Sequence, residues 1–502
     1  MHIGLLLEMA ADGLGERVAV GPAGSGITFA NLLSRARAAA AALAASPART
    51  LAYVGLNSPA FSVALFASAL ANRPFAPLNY RLPDADLRRL LARTAPALAI
   101  VDDDMLPRVA GVEGVTLVRR SEWLAASGSA AAAAEPVAAD PEDIAVLLFT
   151  SGTTGEPKAA VLRHRHLTSY VISTLEFMGA GEDEAALVSV PPYHIAAVSA
   201  VLTSTYLGRR VVHLENFTPE EWVRLAARER VTHAMLVPTM LGRVLDVLEA
   251  TGEQLPGLRH LSYGGGPMPA VTIERAMRCL PSVDFVNGYG LTETSSTIAV
   301  LTPEDHRAAF ASEDPQVRRR LGSVGRPLPT IELEIRDAEG RPVAAGQDGE
   351  VWVRGEQVSG EYLNQKAVRA DGWFPTKDYG WLDEGGFLFL GGRLDDVIVR
   401  GGENISPGEI EEVLRAHPDV RDVAVIGLPD DEWGERVAAV VVSRGDPRPD
   451  DLRRWARERL RSTKTPEDIL YRDALPYNET GKLLRRALKL EIAKTASPPP
   501  AG

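Results

Sequence analysis

Short apolar runs alternate with helix-length amphipathic segments from residue 144 to residue 287, and this rhythm constrains the fold more than any other feature. Parallel strands need long crossovers, which helices supply, so the alternation predicts a largely parallel, helix-covered sheet. The pattern places strands at Ile144–Thr150, Ala185–Val190, Arg210–Leu214, Thr232–Val237, Leu258–Tyr263 and Val283–Asn287. Helices are expected between them at His164–Phe177, Ala196–Leu207, Pro219–Arg228, Met240–Glu249 and Pro269–Cys279. Upstream, Leu51–Gly55 and Ala97–Val101 read as strands, Ala36–Ala45 and Pro59–Ala71 as helices, and Ala125–Pro136 as a surface connection. From about Ile331 the chain turns to short strands with Gly-rich turns, Glu350–Arg354 and Phe387–Leu390 among them. The last hundred residues read as a small α+β piece: helices Pro407–His417 and Asp450–Leu460, strands Val420–Gly427 and Val437–Ser443, then a disordered Pro-rich tail, Ser497–Gly502. The expected class is therefore α/β, a large body of mostly parallel sheets with a β-rich part and a smaller C-terminal piece.

Composition narrows the function. The 54 Lys and Arg against 66 Asp and Glu leave a net charge of −12, which argues against nonspecific nucleic-acid or anionic-membrane binding. The single cysteine, Cys279, excludes an intrachain disulfide framework and a multi-thiolate zinc site. No run is long and apolar enough to span a bilayer, and the start, Met1 to Glu8, is too short in apolar residues for a signal peptide. A cytoplasmic enzyme is expected.

The sharpest local signal is Thr150-Ser151-Gly152-Thr153-Thr154-Gly155-Glu156-Pro157-Lys158, directly after an apolar strand. Its glycines, hydroxyls and lysine supply close backbone N–H groups, side-chain donors and a positive charge, as a polyphosphate requires. It is not a Walker loop, because Pro157 precedes the lysine and Ala159 follows it. Further on, Tyr289 stands between glycines just past a strand, where its ring can face a flat base. Glu293 offers hard oxygens suited to Mg²⁺ that keeps waters and bridges phosphates. Asp378 can accept two donors at once and Arg393 can supply several, though either alone reads more often as a surface charge.

These segments together resemble the adenylate-forming enzymes: acyl- and aryl-CoA synthetases, luciferases and peptide-synthetase adenylation domains. The loop at residues 150–158 resembles that family's phosphate loop, and Pro191-Pro192-Tyr193-His194 its aromatic/His segment. Tyr263-Gly264-Gly265-Gly266-Pro267 is similar to its adenine strand, and Asn287-Gly288-Tyr289-Gly290-Leu291-Thr292-Glu293-Thr294 to its most specific signature. Trp373 to Asp378 resembles the ribose motif, though Lys377 stands where the family usually has glycine. Gly392-Arg393-Leu394-Asp395-Asp396 and Gly401-Gly402-Glu403-Asn404-Ile405 resemble the hinge and the loop after it, and Asn478-Glu479-Thr480-Gly481-Lys482 the catalytic-lysine motif. The resemblance implies an adenylation body over residues 1–394 with its β-rich part from about 325, a hinge at 395–396 centred on Asp395, a mobile C-terminal domain over 397–492 and a disordered tail over 493–502. It also implies ATP and Mg²⁺, catalysis by Lys482, Thr154, Glu293 and His194, and metal binding by Glu293 and Thr154.

The acid pocket implied by the resemblance is lined around His194, Met240, Gly264 and Gly288–Ser295. His194 is followed by Ile195-Ala196-Ala197, which offers no charge partner for an amine, so a plain aliphatic or aryl acid is expected rather than an α-amino acid. His194 is expected to gate this pocket or orient the carboxylate. Arg81 and Trp433 match family positions that contact the nucleotide end of coenzyme A, whereas Glu467 falls where some CoA ligases place a basic residue. Three readings stay open: an acid–CoA ligase, an adenylating enzyme serving a carrier-protein thiol, an amine or another small nucleophile, and a non-catalytic nucleotide-binding relative. A small-molecule acid is the expected partner, with a homodimer left open.

Overall fold

The computed structural model describes residues 1–129, 139–150, 157–401, 403–430, 432–477 and 483–496. Among these, two large sheets form the body. In the nine-stranded one, Val18–Val20, Arg210–His213, Ala185–Val188, His233–Leu236, His260–Gly264 and Asp284–Leu291 run parallel side by side. Antiparallel strands Ile27–Thr28, Ser296–Leu301 and Arg326–Pro327 close its edges. The eight-stranded sheet has a parallel core of Ile144–Thr150, Phe75–Pro77, Thr50–Val54, Ala97–Val101 and Val115–Arg119.

Helices Pro59–Leu70 and Ile195–Leu207 lie between the two sheets and share one core with strand residues of both, including Tyr53, Phe75, Val146, Val188 and Val211. Pro59–Leu70 is apolar all round because it has no face toward water: every residue from Ala60 to Leu70 is buried. The outer face of the nine-stranded sheet is covered by Pro219–Arg228, Pro238–Thr251 and Ala270–Cys279, whose apolar stripes bury Trp222, Leu241 and Ile273.

A four-stranded antiparallel sheet follows, Glu332–Arg336, Gly349–Arg354, Phe374–Leu382 and Leu388–Arg393. The C-terminal sheet has five strands, built around the long antiparallel pair Val420–Asp430 and Gly434–Ser443. Among the described residues no helix is long and apolar enough to cross a membrane.

The structure corrects the sequence reading at three places. The phosphate loop joins two antiparallel strands: Lys158–Arg163 is a strand paired with Ile144–Thr150, and the helix starts only at His164. Its apolar stretch, Ala159 to Leu162, is short and directly abuts the loop, so its separate identity was hidden. Residues 125–129, expected in a connection, belong to helix Arg120–Ser129, which buries Trp123; residues 130–138 lie outside the described chain. The last helix, Arg485–Ala496, runs past residue 492 into the expected tail, anchored by the buried Leu488 and Ile492 one turn apart. Residues 497–502 lie outside the described chain.

Candidate active site

The site gathers where the parallel strands of both sheets end, the edge at which ligands bind in open α/β sheets. Thr150 closes its strand and its hydroxyl donates to Lys158 O (3.4 Å), so the two ends of the phosphate loop are held together. Ser151, Gly152, Thr153, Thr154 and Gly155 lie outside the described residues, as does Lys482.

Gly264, at the end of its strand, pairs in parallel register with Gly288 of the adjacent strand Asp284–Leu291. A Cβ on Gly264 would collide with the carbonyl oxygen of Gly288, so only glycine lets these backbones approach. Gly265 then takes φ +80 and, with Gly266 and Pro267, turns the chain across the strand end. Asn287 directs its amide to Ser323 O (3.1 Å) and so braces the backbone of the next segment. Beyond Gly290, Thr292–Thr294 form a single 3₁₀ turn and Ser295 takes φ +58. Ser295 is fully buried, and its hydroxyl has no partner among the described residues.

The chemistry concentrates in two sets of contacts. Tyr289 donates to Oδ2 of Asp378 (2.6 Å), and Arg393 donates to Oδ1 of the same carboxylate (2.9 Å). Asp378 and Arg393 are cross-strand partners in the antiparallel pair Phe374–Leu382 and Leu388–Arg393, which sets that second bond by register. Asp378 is buried, and both its oxygens are engaged while each keeps a lone pair for a further donor. Burial acts to lower the Arg393 pKa, but Asp378, Tyr289 and Glu293 outweigh it and hold the guanidinium charged. Burial first, and then the charge of Asp378, drive the Tyr289 phenol well above its usual range, so it stays a donor.

Glu293 anchors the second set. Its Oε1 accepts from Tyr362 Oη (2.6 Å), and the ring of Tyr362 carries the Lys158 ammonium at 5.4 Å from its centroid. Thus Lys158, Tyr362 and Glu293 form one contact set at the end of the loop and Tyr289, Asp378 and Arg393 another, with the charge of Glu293 acting on Arg393. Tyr362 carries no signal of its own in the sequence; only its strand pairing with Lys158–Arg163 brings it here.

The donor set fits magnesium rather than a protein-caged metal. Among the described residues Glu293 has no ion pair, and no group of three or more His, Cys, Asp or Glu side chains is arranged to hold an ion. A single hard carboxylate beside a phosphate loop suits a cation that keeps waters and phosphate oxygens as its other ligands.

A cavity of about 280 Å³ is lined by Asn57, Arg81, Pro191, Phe217, Met240 and Tyr477 among others; of the expected acid-pocket residues only Met240 is among those lining it. Asn57 is buried and anchors its Nδ2 on Val190 O (2.8 Å) and Leu214 O (3.3 Å), which leaves Oδ1 unpartnered among the described residues. His194 precedes helix Ile195–Leu207 with its ring 4.5 Å from that of Tyr193. Burial, helped by the charge of Arg81, lowers its pKa to about 4, so the imidazole is neutral at pH 7. Its Nε2 has no partner among the described residues.

Trp433 belongs to a different cluster. It is 46% exposed, receives the Gly401 N–H on its carbonyl (2.8 Å) and carries Arg400 at 5.7 Å from its ring. Arg400 pairs with Glu467 and donates to Thr463 O (2.9 Å). Asp395 sits exposed in the short turn Leu394–Asp396 between the third and fourth sheets, and neighbouring Asp396 faces Arg485 at 3.6 Å.

The AMP-binding enzyme model matches residues 7–363, and the AMP-binding enzyme C-terminal domain model matches residues 409–482. The chain belongs to the AMP-binding enzyme family. It is 35% identical over 480 residues to a feruloyl-CoA synthase of Amycolatopsis, covering 93% of this chain and 94% of that protein. Among solved structures it resembles the o-succinylbenzoate CoA synthetase of Bacillus subtilis bound to its acyl-adenylate, with TM-score 0.82, 30% identity and coverage of 96% and 97%. The amide bond synthetase McbA of Marinactinospora thermotolerans is similar at TM-score 0.86 and 30% identity, with coverage of 98% and 99%. The fold is that of the adenylate-forming enzymes, and the chain is a ligase of this family.

Proposed function

We propose that this ligase activates an aryl carboxylic acid as its acyl-adenylate and transfers the acyl group to the thiol of coenzyme A. The observation that carries the reading is the coupling of two contact sets, Lys158–Tyr362–Glu293, which leads from the end of a loop fit for phosphates to a carboxylate fit for a metal, and Tyr289–Asp378–Arg393, a buried carboxylate–arginine pair fit for a ribose, through the charge of Glu293 acting on Arg393. Two of the relatives named above, by their titles, act on feruloyl and o-succinylbenzoyl groups, both aryl acids. The flat side chains of Phe217, Tyr80 and Tyr477 in the cavity suit an aromatic ring, and Asn57 Oδ1 suits a donor on it.

In the first half-reaction the acid carboxylate attacks the α-phosphorus of ATP and pyrophosphate leaves. No protein nucleophile is needed, so catalysis is positioning and charge neutralisation. The loop from Thr150 to Lys158, with Ser151, Gly152, Thr153, Thr154 and Gly155, would hold the phosphates. Glu293, with Thr154, would hold magnesium, which when bound neutralises the triphosphate. Gly264, Gly265, Gly266 and Pro267 would border the adenine with Asn287, Gly288, Tyr289, Gly290 and Thr292, while Asp378 and Arg393 take the ribose. Lys482 would stabilise the charge that develops in the transition state. Met240, His194, Gly264 and Ser295 would line the acid, with neutral His194 gating it or orienting its carboxylate.

In the second half-reaction a thiolate attacks the mixed anhydride and AMP departs. We assign residues 1–394 to the adenylation body, 395–396 to a hinge at Asp395, and the residues from 397 to a C-terminal domain that turns to exchange Lys482 for the face around Gly401. Arg81 and Trp433 would then meet the nucleotide end of coenzyme A.

The test is acid-dependent release of AMP and pyrophosphate across benzoates, cinnamates, arylacetates and fatty acids. The expected result is turnover with an aryl acid, formation of its CoA thioester and loss of both in Lys482→Ala. Release of ADP and phosphate would reject the scheme.

A second reading rests on one observation. Glu467 neutralises Arg400 beside Trp433, where a cation would serve a nucleotide phosphate, and McbA by its title forms amides. On that reading the adenylate goes to an amine, and an amide product without any CoA thioester would select it.

A further inference from the structure

The segment from Gln357 to Leu363 acts as a strap between the acidic turn and the strand that leaves the phosphate loop. On one side Gln357 Nε2 donates to Thr294 O (3.1 Å) and Thr297 O (2.8 Å), and the backbone N–H groups of Ser359 and Gly360 both donate to Glu293 O (2.9 Å each). On the other side Ser359 Oγ donates to Val161 O, Leu363 N donates to Ala159 O (2.9 Å), and Glu361 takes Arg163 in a two-pronged pair at 2.8 and 2.9 Å. The backbone of Glu293 is therefore fixed from the same segment that fixes the loop strand.

The side chain of Glu293 is a separate matter. A glutamate has three soft torsions, and an unrestrained one loses rotamer freedom when it captures a ligand. Here Tyr362 Oη holds Oε1 at 2.6 Å, and among the described residues Oε2 has no hydrogen-bond partner. The Tyr362 ring is itself placed by its strand, opposite Ala160, and carries Lys158 on its face.

We propose that Tyr362 is a positioning residue for Glu293: it locks one carboxylate oxygen so that the other is presented to the magnesium of the ATP complex, and it ties that presentation to Lys158 at the end of the phosphate loop. This rests on Glu293 being the metal carboxylate, as proposed above. Outer partners that orient a metal-binding carboxylate commonly govern affinity by a factor of ten or more.

The experiment compares full-length wild type, Tyr362→Phe, Glu293→Gln and the double variant. Calorimetry without acid measures binding of ATP with magnesium and of ATP in EDTA, and pyrophosphate release gives the half-saturating magnesium concentration. Tyr362→Phe keeps the ring under Lys158 and removes only the hydroxyl. It is expected to weaken binding of magnesium–ATP and raise half-saturating magnesium roughly tenfold, with ATP binding in EDTA unchanged. In the Glu293→Gln background the second substitution is expected to add little, since the two act as a unit. Equal weakening of both nucleotide forms, or full additivity of the two substitutions, overturns the proposal while leaving the metal assignment standing. A Glu293→Gln enzyme with unaltered magnesium dependence overturns the assignment and the proposal together.

Discussion

The hydroxyl of Tyr289 lies 2.6 Å from Oδ2 of Asp378, 89 positions further along the chain. This bond sutures the large parallel sheet to the antiparallel sheet that follows it, and it also sets the plane of the carboxylate proposed to hold the ribose. Tyr289 therefore has a structural duty beyond any stacking by its ring, which is only 8% exposed.

Removing that hydroxyl leaves a buried carboxylate oxygen short of a donor. Tyr289→Phe is expected to lower the unfolding free energy by about 1–3 kcal/mol and to raise the KM for ATP by roughly tenfold, a loss of about 1.4 kcal/mol. Urea titration and initial-rate kinetics check the two numbers. An ATP KM equal to wild type would show that Arg393 alone orients Asp378.

Lys377 precedes Asp378 with φ +63, a left-handed conformation that costs a non-glycine residue about 1–2 kcal/mol. A glycine there avoids this cost but loses about 0.5–1 kcal/mol through backbone freedom in the unfolded chain. Lys377→Gly is thus expected to be neutral or stabilising by up to about 1.5 kcal/mol, whereas Lys377→Val, β-branched at a positive φ, is expected to destabilise. Thermal melts of the two variants check the ordering, and a melting temperature lower for glycine than for valine contradicts it.

The contrast between these residues shows what the sequence could carry. Helix and strand order was legible because apolar periodicity is local, and Ala97–Val101, Ile144–Thr150 and Pro219–Arg228 match their expected bounds residue for residue. Asp378 and Arg393 stood out because their two segments resemble motifs of one family, and the structure pairs the two side chains. Tyr362 and Asn57 were not, since their roles come from a two-residue strand pairing and from an amide held by carbonyls more than a hundred positions away. The strand Lys158–Arg163 was hidden for the same reason: its identity is fixed by a partner across the loop.

Acid sensitivity follows from the buried histidines. Burial lowers the pKa of His164 to about 4, of His166 to about 3 and of His306 to about 4, from an ordinary 6.5. Burial keeps His306 neutral even though the Thr302 carbonyl, 2.8 Å from Nδ1, acts to raise its pKa; its Nε2 meets the Tyr263 hydroxyl at 2.8 Å. Between 6.5 and about 4 the unfolded chain binds protons that the native state refuses, so stability is full above 6.5 and falls as the pH drops through this window. Each such histidine contributes a slope of at most about 1.4 kcal/mol per pH unit. Urea midpoints at pH 7, 6 and 5 are expected to fall progressively, and a flat profile contradicts the account.

The acceptor half of the reaction turns on Glu467. Its carboxylate neutralises Arg400, a guanidinium that otherwise faces Trp433 and Thr463 O on the C-terminal unit. If coenzyme A approaches here, its phosphates must draw Arg400 away from Glu467, and the like charge of the carboxylate opposes them. Glu467→Gln keeps the shape of the side chain and removes that opposition. The expected outcome is a several-fold lower KM for coenzyme A, with acid-dependent pyrophosphate release unaltered, because the substitution lies outside the adenylation cluster. Trp433→Ala is expected to move the coenzyme A KM the other way. Coenzyme A kinetics indifferent to both substitutions would place the acceptor elsewhere and favour the amine reading.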